Sequence, residues 1–225
     1  MNIFFQSKQR KYDGINREKY NERYIQDLII YLGSTMYLSQ LTQPIYQKLY
    51  QDIEQFRSTF DLAVEAPESL DEKNDLLHTS LAIEELTELA EADSKIEQAD
   101  AIIDTVYVLM GRAVHLGTKN LEDNLSISYL IDLLLNVAKN LDIEFLPCWN
   151  EVHSSNMSKV CKTEEEYQAT KAFYSEQGIE LMSTEKGGFI IAKCAKNVEL
   201  ENKVIKQGKV LKSVNYRPAD LAPLV

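Results

Sequence analysis

The chain has few cysteines, fewer basic than acidic residues, and no long apolar run, and each shortage excludes a class of protein. Its three cysteines are odd in number and form no CxxC pair, which argues against a disulfide scaffold or a structural zinc site and fits a reducing cytoplasm. The 24 Lys and Arg residues against 35 Asp and Glu residues give a net charge of −11, which argues against a general nucleic-acid-binding surface. No apolar run approaches the roughly 18–20 residues of a membrane span, and residues 1–10 lack the order of a signal peptide. We therefore expect a cytoplasmic protein that binds neither a nucleic-acid polymer nor a membrane.

Most of the chain has apolar residues at helical spacing, which predicts a helical fold. The helices are expected over residues 16–40, from Pro44 to about residue 60, over 77–92, 95–115 and 126–141, and from a cap at Thr163 to Gly178. Two short runs of strand type, residues 179–183 and 189–194, flank the turn sequence TEKGG and predict one β-hairpin. The expected fold class is therefore all-α, a helical bundle with a small added β-hairpin near the C-terminus.

The most informative segment is IEELTELAEADSKIEQADAIIDTVYVL, residues 83–109, in which six of the carboxylates on two short-linked helices are candidate ligands. They are Glu84, Glu85 and Glu88 on the first helix, and Glu97, Asp100 and Asp104 on the second. Residues three, four or seven apart share a helix face, and Ser94 with Glu97 has the form of a capping box that starts the second helix. If the two helices fold back about residue 93, the carboxylates converge in one cleft.

A converging set of carboxylates repels itself, by several kcal/mol at an effective dielectric constant of about 20. Asp104 interrupts the apolar run AIIDTVYVLM, so its helix is expected to be buried, and on that helix no Lys or Arg lies between Lys95 at its start and Arg112. A buried carboxylate needs a partner, and Mg²⁺ prefers oxygen ligands. The segment therefore predicts a multi-carboxylate Mg²⁺ site that Mn²⁺ could also occupy. A solvated acidic face is the alternative reading of EExxE alone.

EExxE followed by ExxD, residues 84–88 and 97–100, resembles the signature of the all-α nucleoside triphosphate pyrophosphohydrolases. Within that superfamily the chain resembles the MazG-like and phosphoribosyl-ATP pyrophosphohydrolase-like subgroup, in DTVYVLMGRAVHLG (104–117), EVHSSNMSK (151–159) and GKVLKSVNYRPADL (208–221). The resemblance implies an Mg²⁺-dependent hydrolase that cleaves a nucleoside or deoxynucleoside triphosphate between the α and β phosphates. The products would be a monophosphate and pyrophosphate, in the housekeeping of the nucleotide pool.

The resemblance also suggests roles for individual residues. Glu85 or Glu84 is expected to be the general base, and all six carboxylates are candidate metal ligands whose ranking the sequence leaves open. Asn156 and Lys159 are expected to contact the base or sugar and a phosphate. Lys209, Lys212 and Tyr216 are weaker candidates for phosphate contacts and for stacking on the base, with a plain polar surface as their alternative.

The same reasoning gives the expected organisation of the chain. Residues 1–225 are expected to form a single domain, with an N-terminal helical extension (1–42), a catalytic helical core (43–160) and a C-terminal part with a helix, the hairpin and a tail (161–225).

Because two helices alone do not close a pocket, we expect a homodimer or a dimer of dimers with the site near the interface. A di-iron bundle is disfavoured because neither acidic helix has an ExxH motif. A non-catalytic helical interaction protein that keeps the acidic hairpin as a scaffold is the alternative function.

Overall fold

The computed structural model of the protein describes residues 38–200 and 203–225. These residues form six α-helices and four short strands. They are α1 (Gln43–Thr59), α2 (Glu72–Glu91), α3 (Lys95–Leu116), α4 (Leu125–Asn140), α5 (Phe145–Met157), α6 (Glu164–Ser175), β1 (Leu181–Lys186), β2 (Phe189–Cys194), β3 (Val198–Leu200) and β4 (Lys203–Ile205). The predicted all-α fold class is therefore confirmed. The helix predicted over residues 16–40 lies outside the described residues except for its last three positions.

The bundle is built around α3, which contacts α1, α2, α4 and α5. Ile102, Ile103, Val106 and Met110 of α3 are fully buried, so this helix is apolar on most sides, as the run AIIDTVYVLM predicts. The helix ends where Gly117 adopts a left-handed conformation, with φ at 75°, which glycine adopts without a steric penalty. The position of α3 at the centre places its side chains among those of four neighbouring helices.

The predicted helix starts are confirmed at Pro44 and Thr163 and shifted at α2. Pro44 lies in the first turn of α1, and the Thr163 side chain accepts a hydrogen bond from the backbone N–H of Glu166 at the start of α6. In contrast, α2 begins at Glu72, five residues before the expected position. The reason is local: the Asp71 side chain accepts from the Asn74 N–H at 2.8 Å and caps the helix there.

The predicted β-hairpin is present as β1 and β2, an antiparallel pair joined by Gly187 and Gly188. Both glycines have positive φ, 58° and 82°, as a two-residue hairpin turn of type I′ requires. A second hairpin, β3 with β4, was not predicted, because strands of three residues are too short to show an alternating pattern. Phe60, Val160 and Ile191 form a buried cluster that joins the hairpin to the helices.

Two further features of the described residues bear on the sequence analysis. All three cysteines are free and buried, as expected for structural thiols. None of the helices in the described part of the chain is long and apolar enough to cross a membrane. The organisation of residues 1–225 as one domain with three parts stays a prediction, and most of its first part lies outside the described residues.

Candidate functional site

The two acidic helices form an antiparallel hairpin whose turn is fixed by a reciprocal cap. The Ser94 hydroxyl accepts from the Glu97 N–H at 3.2 Å, while Glu97 Oε2 accepts from the N–H groups of Asp93 and Ser94 at 2.8 and 3.0 Å. This arrangement is the capping box that the sequence predicts. It starts α3 immediately after α2 ends, so the two helices lie side by side along their length.

Five of the six predicted metal ligands lie within electrostatic reach of one another on this hairpin. Partial burial raises the pKa of Glu85 to about 7, and the negative charges of Asp104, Glu88, Glu84 and Asp100 add to the effect. The pKa of Asp104 also rises to about 7, first through burial and then through the charges of Asp100 and Glu88. Asp100 is exposed as a residue, but partial burial of its carboxyl group raises its pKa as well. Glu85 and Asp104, on facing helices, therefore both have a pKa of about 7, chiefly because burial disfavours their charged forms.

Glu97 is the one predicted metal ligand that is not part of this group of five carboxylates. Its side chain is exposed, and its Oε2 atom is engaged by the two backbone N–H groups of the α3 cap. These hydrogen bonds lower the pKa of Glu97, in contrast to the raised values of Glu85 and Asp104. In this conformation one carboxylate oxygen of Glu97 stabilises the helix start, and Oε1 is the atom left for a ligand role.

Asn156 and Lys159 come together at the C-terminal end of α5. The helix ends at Met157, so Lys159 is not on the same helical face as Asn156, yet Lys159 Nζ donates to Asn156 Oδ1 at 2.6 Å. Burial lowers the pKa of Lys159, while the nearby Tyr216 and Asp104 raise it and Lys212 and Lys209 lower it. The Lys159 ammonium is therefore close to both the acidic hairpin and the C-terminal tail, which we define as residues 208–221.

The tail brings its three candidate residues to the same place. The Tyr216 hydroxyl accepts from Ser155 Oγ at 3.2 Å, and Lys212 Nζ lies 4.2 Å from the centre of the Tyr216 ring. Lys209 is exposed, and its charge reaches Lys159. All five residues predicted to contact a substrate thus lie around one end of α5.

Lys159 and Asp104 connect the two groups of residues. The positive charge of Lys159 lowers the pKa of Asp104, against the effect of burial. The sequence analysis considered basic residues only on the helix of Asp104, and the nearest cation instead comes from the segment after α5. That proximity could not be read from the sequence, because 55 positions separate the two residues and only the packing of α3 against α5 brings them together.

The carboxylates lie on one face of the hairpin but do not converge on a common metal position. Across residues 38–200 and 203–225, no three His, Cys, Asp or Glu side chains are close enough together to hold a metal ion as they stand. The donor set itself fits a hard divalent cation, because it consists of carboxylate oxygens, and because burial and neighbouring carboxylates raise the pKa of Glu85 and Asp104. Mg²⁺ or Mn²⁺ supplies that kind of counterion.

Two surface clefts lie away from these carboxylates. One lies beside Ile45, Leu135 and Phe145, and the other beside Lys162 and Phe189. Neither cleft is lined by a residue of the acidic hairpin or by Asn156 or Lys159. The candidate site is therefore identified by its carboxylates and their raised pKa values, and not by the size of a cleft. It lies on an accessible face of α2 and α3.

Sequence reasoning missed Tyr107 as part of the site. Its hydroxyl lies 3.1 Å from His153 Nδ1, and the neighbouring Asn156 side chain acts against burial, which raises the pKa of Tyr107. A signal was available, because Tyr107 follows Asp104 by three residues and so lies on the same face of α3. Its place in the apolar run made a core role the simpler interpretation.

Comparison with known families agrees with the position of the acidic hairpin. Residues 53–126 match the family model of phosphoribosyl-ATP pyrophosphohydrolase, which confirms the predicted resemblance over that part of the chain. The match includes α2, α3 and all six carboxylates, whereas Asn156, Lys159 and the tail lie beyond it. Searches of curated proteins and of solved structures found no match. The matching family is one of pyrophosphohydrolases, which supports a hydrolase in general.

Proposed function

We propose that this protein is a divalent-metal-dependent nucleoside triphosphate pyrophosphohydrolase. It would cleave a nucleoside or deoxynucleoside triphosphate between the α and β phosphates, to a monophosphate and pyrophosphate, as a cytoplasmic housekeeping enzyme of the nucleotide pool. The observation that carries the proposal is the pair Glu85 and Asp104, which face each other across the family-matched hairpin and both have a pKa of about 7. Such perturbed carboxyl groups are common where a site must hold a cation or move a proton.

The metal would be held by carboxylates of the hairpin. The candidates are Glu84, Glu85, Glu88, Asp100 and Asp104, with Glu97 contributing its remaining oxygen. When bound, Mg²⁺ or Mn²⁺ would neutralise charge on the triphosphate and help to orient it. The accessible positions of Glu84, Glu88 and Asp100 leave room for a phosphate group against the hairpin.

Glu85 is our preferred general base. A base works best when its pKa is near the working pH, and the pKa of Glu85 is about 7. The proton would pass from the attacking water to the Glu85 carboxylate as the water approaches the α phosphorus. Glu84 is the second candidate, and it is the more exposed of the two.

The basic residues around the end of α5 would bind the nucleotide. Lys159, Lys212 and Lys209 offer positive charge to the phosphates, and Lys159 does so within reach of Asp104. The Asn156 carboxamide would contact the base or the sugar, and the Tyr216 ring would stack on the base. With a net charge of −11 over the whole chain, this small basic group suits a single nucleotide and not a nucleic-acid polymer.

The surface of α2 supports a homodimer with the site near the interface. No residue of this 20-residue helix is buried, and it exposes Leu76, Leu77 and Ile83 to 67%, 52% and 59%. An apolar row of this kind on an exposed helix usually marks an interface. Leu130 and Leu133 of α4 are also exposed, which is the basis for proposing a dimer of dimers as the larger assembly. Light scattering tests this, and an active monomer would contradict it.

The alternative function is a non-catalytic helical interaction protein, and the exposed apolar row on α2 favours it equally. The two functions differ in their need for metal and in turnover. The deciding experiment incubates the protein with a panel of nucleoside and deoxynucleoside triphosphates, with Mg²⁺ and separately with Mn²⁺, and separates the products by chromatography. Monophosphate with pyrophosphate is the expected result. Diphosphate with orthophosphate would overturn the cleavage position, and no turnover would favour the interaction protein.

Single variants then test the site. Glu88→Ala and Asp100→Ala should abolish turnover, and because both side chains are exposed the melting temperature should hardly change. Glu72→Ala, an exposed carboxylate at the other end of α2, is the matched control and should keep full activity. Retained activity in Glu88→Ala and Asp100→Ala would overturn the site assignment.

A further inference from the structure

The guanidinium of Arg57 is buried without a negative partner. Arg57 lies in the last turn of α1 and is 8% exposed. Its Nε atom donates to the Ala63 carbonyl at 2.6 Å, and none of the ion pairs within residues 38–200 and 203–225 includes it. Burial lowers the pKa of Arg57 to about 10, and no carboxylate in that part of the chain counters this effect. A buried charge normally has a partner, so an anion from outside the chain would complete the surroundings of Arg57.

Two histidines next to Arg57 are in contact with each other. His78 Nε2 of α2 lies 3.4 Å from His115 Nδ1 of α3, and His115 Nε2 lies 2.8 Å from Ser69 Oγ. Burial lowers the pKa of both histidines, and the positive charge of Arg57 adds to the effect. The pKa of His78 is about 4. Both imidazole rings are therefore neutral at pH 7.

The Ser69 hydroxyl determines which nitrogens of these rings carry a proton. Ser69 donates its hydrogen to the Ala66 carbonyl at 2.8 Å, so its oxygen accepts from the Nε2–H group of His115. The Nδ1 atom of a neutral His115 is then an acceptor, and it accepts from the Nε2–H group of His78. His78 Nδ1 is therefore left without a proton, as a hydrogen-bond acceptor.

Gly111 of α3 leaves a space between Arg57 and His78. A Cβ atom at this glycine would lie 3.7 Å from Arg57 Nη1 and 3.9 Å from His78 Cε1, the carbon bonded to His78 Nδ1. A small group at that point would therefore contact both side chains. Among the described residues, the buried side-chain atoms without a hydrogen-bond partner do not include the Arg57 Nη atoms or His78 Nδ1, so solvent reaches these nitrogens.

We propose that Arg57, His78 and Gly111 form a binding site for a phosphate group that carries a hydroxyl. The Arg57 guanidinium would donate to the charged phosphate oxygens, and His78 Nδ1 would accept from the P–OH group. Inorganic phosphate has such a hydroxyl at pH 7, and the terminal phosphate of a nucleotide gains one near pH 6. A phosphodiester has none. The site therefore fits a terminal phosphate group and not the backbone of a nucleic acid.

This site is separate from the six carboxylates but lies on the same faces of α2 and α3. Gly111 follows Asp104 by seven residues, and His78 precedes Glu85 by seven residues. Seven residues are two helical turns, or about 10 Å. A nucleotide held by the carboxylates could place its terminal phosphate here, and inorganic phosphate could bind here alone. The inference therefore goes beyond the proposed function and does not depend on it.

Calorimetry with inorganic phosphate in EDTA tests the site without metal and without turnover. At pH 7 and constant ionic strength the wild type should bind phosphate at least about tenfold more tightly than sulfate, which has a similar shape but no proton for His78 Nδ1. Arg57→Gln should lower the phosphate affinity about tenfold or more. Lys196→Gln removes the same charge from an exposed ion pair and should keep the wild-type affinity. No binding by the wild type, or equal affinities in the two variants, would overturn the proposal.

Two further variants separate binding from folding. Gly111→Ala places a methyl group between Arg57 and His78 at ordinary contact distances, and alanine is the better helix former. The phosphate affinity should therefore fall about tenfold while the melting temperature does not fall. His78→Phe keeps a ring but removes the acceptor, so the preference for phosphate over sulfate should disappear. Wild-type affinity in Gly111→Ala, or an unchanged preference in His78→Phe, contradicts the proposal.

Competition identifies the source of the phosphate group. If the site takes the terminal phosphate of a nucleotide, a non-hydrolysable nucleoside triphosphate with Mg²⁺ should displace inorganic phosphate, and Arg57→Gln should raise KM about tenfold. If the site takes inorganic phosphate, saturating nucleotide should leave the phosphate affinity unchanged. Both results support the site and name its ligand. A wild-type protein that binds phosphate in EDTA but hydrolyses no nucleotide would overturn the proposed function alone.

Discussion

Glu151 and Arg217 form an ion pair that fastens the C-terminal tail to α5. Arg217 Nη1 lies 2.5 Å from Glu151 Oε1 and Nη2 lies 3.4 Å from Oε2, while Nη2 also donates to Ser154 Oγ at 2.9 Å. The backbone N–H of Asp220 donates to the same Glu151 oxygen at 3.0 Å. These contacts fix the part of the tail that follows Tyr216, so they hold Tyr216 and Lys212 against Lys159.

We predict that Arg217→Gln loosens the tail and weakens nucleotide binding. KM should rise about threefold to tenfold with kcat nearly unchanged, because the tail residues contribute phosphate contacts and not the proton transfer. The tail should also be cleaved faster by thermolysin. Lys196→Gln, which breaks the exposed ion pair of Lys196 with Glu180, is the control and should change neither quantity. Equal behaviour of the two variants would show that the tail is held by its other contacts.

Glu97 has two possible roles, and one pair of variants separates them. Glu97→Gln keeps an oxygen that can accept the capping hydrogen bonds from Asp93 and Ser94, so the melting temperature in EDTA should stay close to that of the wild type. If Glu97 also binds the metal, the Mg²⁺ affinity of this variant should fall about tenfold or more. Glu97→Ala should lower both the melting temperature and the affinity. Calorimetric Mg²⁺ binding that is unchanged in Glu97→Gln would assign Glu97 to the helix cap alone.

The stability of the protein should fall when the pH drops below about 6.5, in part because of His78. Burial lowers the pKa of His78 to about 4, and the charges of Arg57 and His115 add to the effect. Between about pH 6.5 and 4 the unfolded chain therefore binds a proton that the folded protein does not, so the free energy of unfolding decreases as the pH falls. The expected loss from this group is on the order of 2 kcal/mol. Urea unfolding of His78→Gln should show a shallower pH dependence than the wild type, with the difference between the two constant above pH 7.

Asp132 should be important for the stability of the bundle. Its carboxylate on α4 accepts from the backbone N–H groups of Ser39, Gln40 and Leu41 at 2.7 to 3.1 Å. Burial acts against the charge, but these hydrogen bonds still lower the pKa of Asp132, so its contribution is complete above about pH 4 and is lost as the pH falls through the lowered pKa. Asp132→Asn should lower the free energy of unfolding by about 2 kcal/mol. Glu122→Gln, an exposed change in the segment before α4, should leave the urea midpoint unchanged.

The local elements of the site could be predicted because their signals lie within a few residues. Ser94 and Glu97 are three positions apart, and Gly187 with Gly188 adjoin each other, so the cap and the hairpin turn follow from short-range hydrogen bonding and backbone sterics. The spacing of Glu84, Glu85 and Glu88 likewise fixes their face on α2. The second hairpin was missed because its strands are too short to show a period.

The sequence by itself thus determined the helical class, five of the six described α-helices and the face on which each carboxylate lies. The tertiary structure decided which of these side chains share an electrostatic environment. One oxygen of Glu97 caps α3, Lys159 reaches Asp104 from the segment after α5, and the Tyr107 hydroxyl lies beside His153. The physical reason is the sequence separation of the interacting residues. Helix periodicity and capping depend on residues a few positions apart, whereas burial and Coulomb interactions depend on the packing of helices that are distant along the chain.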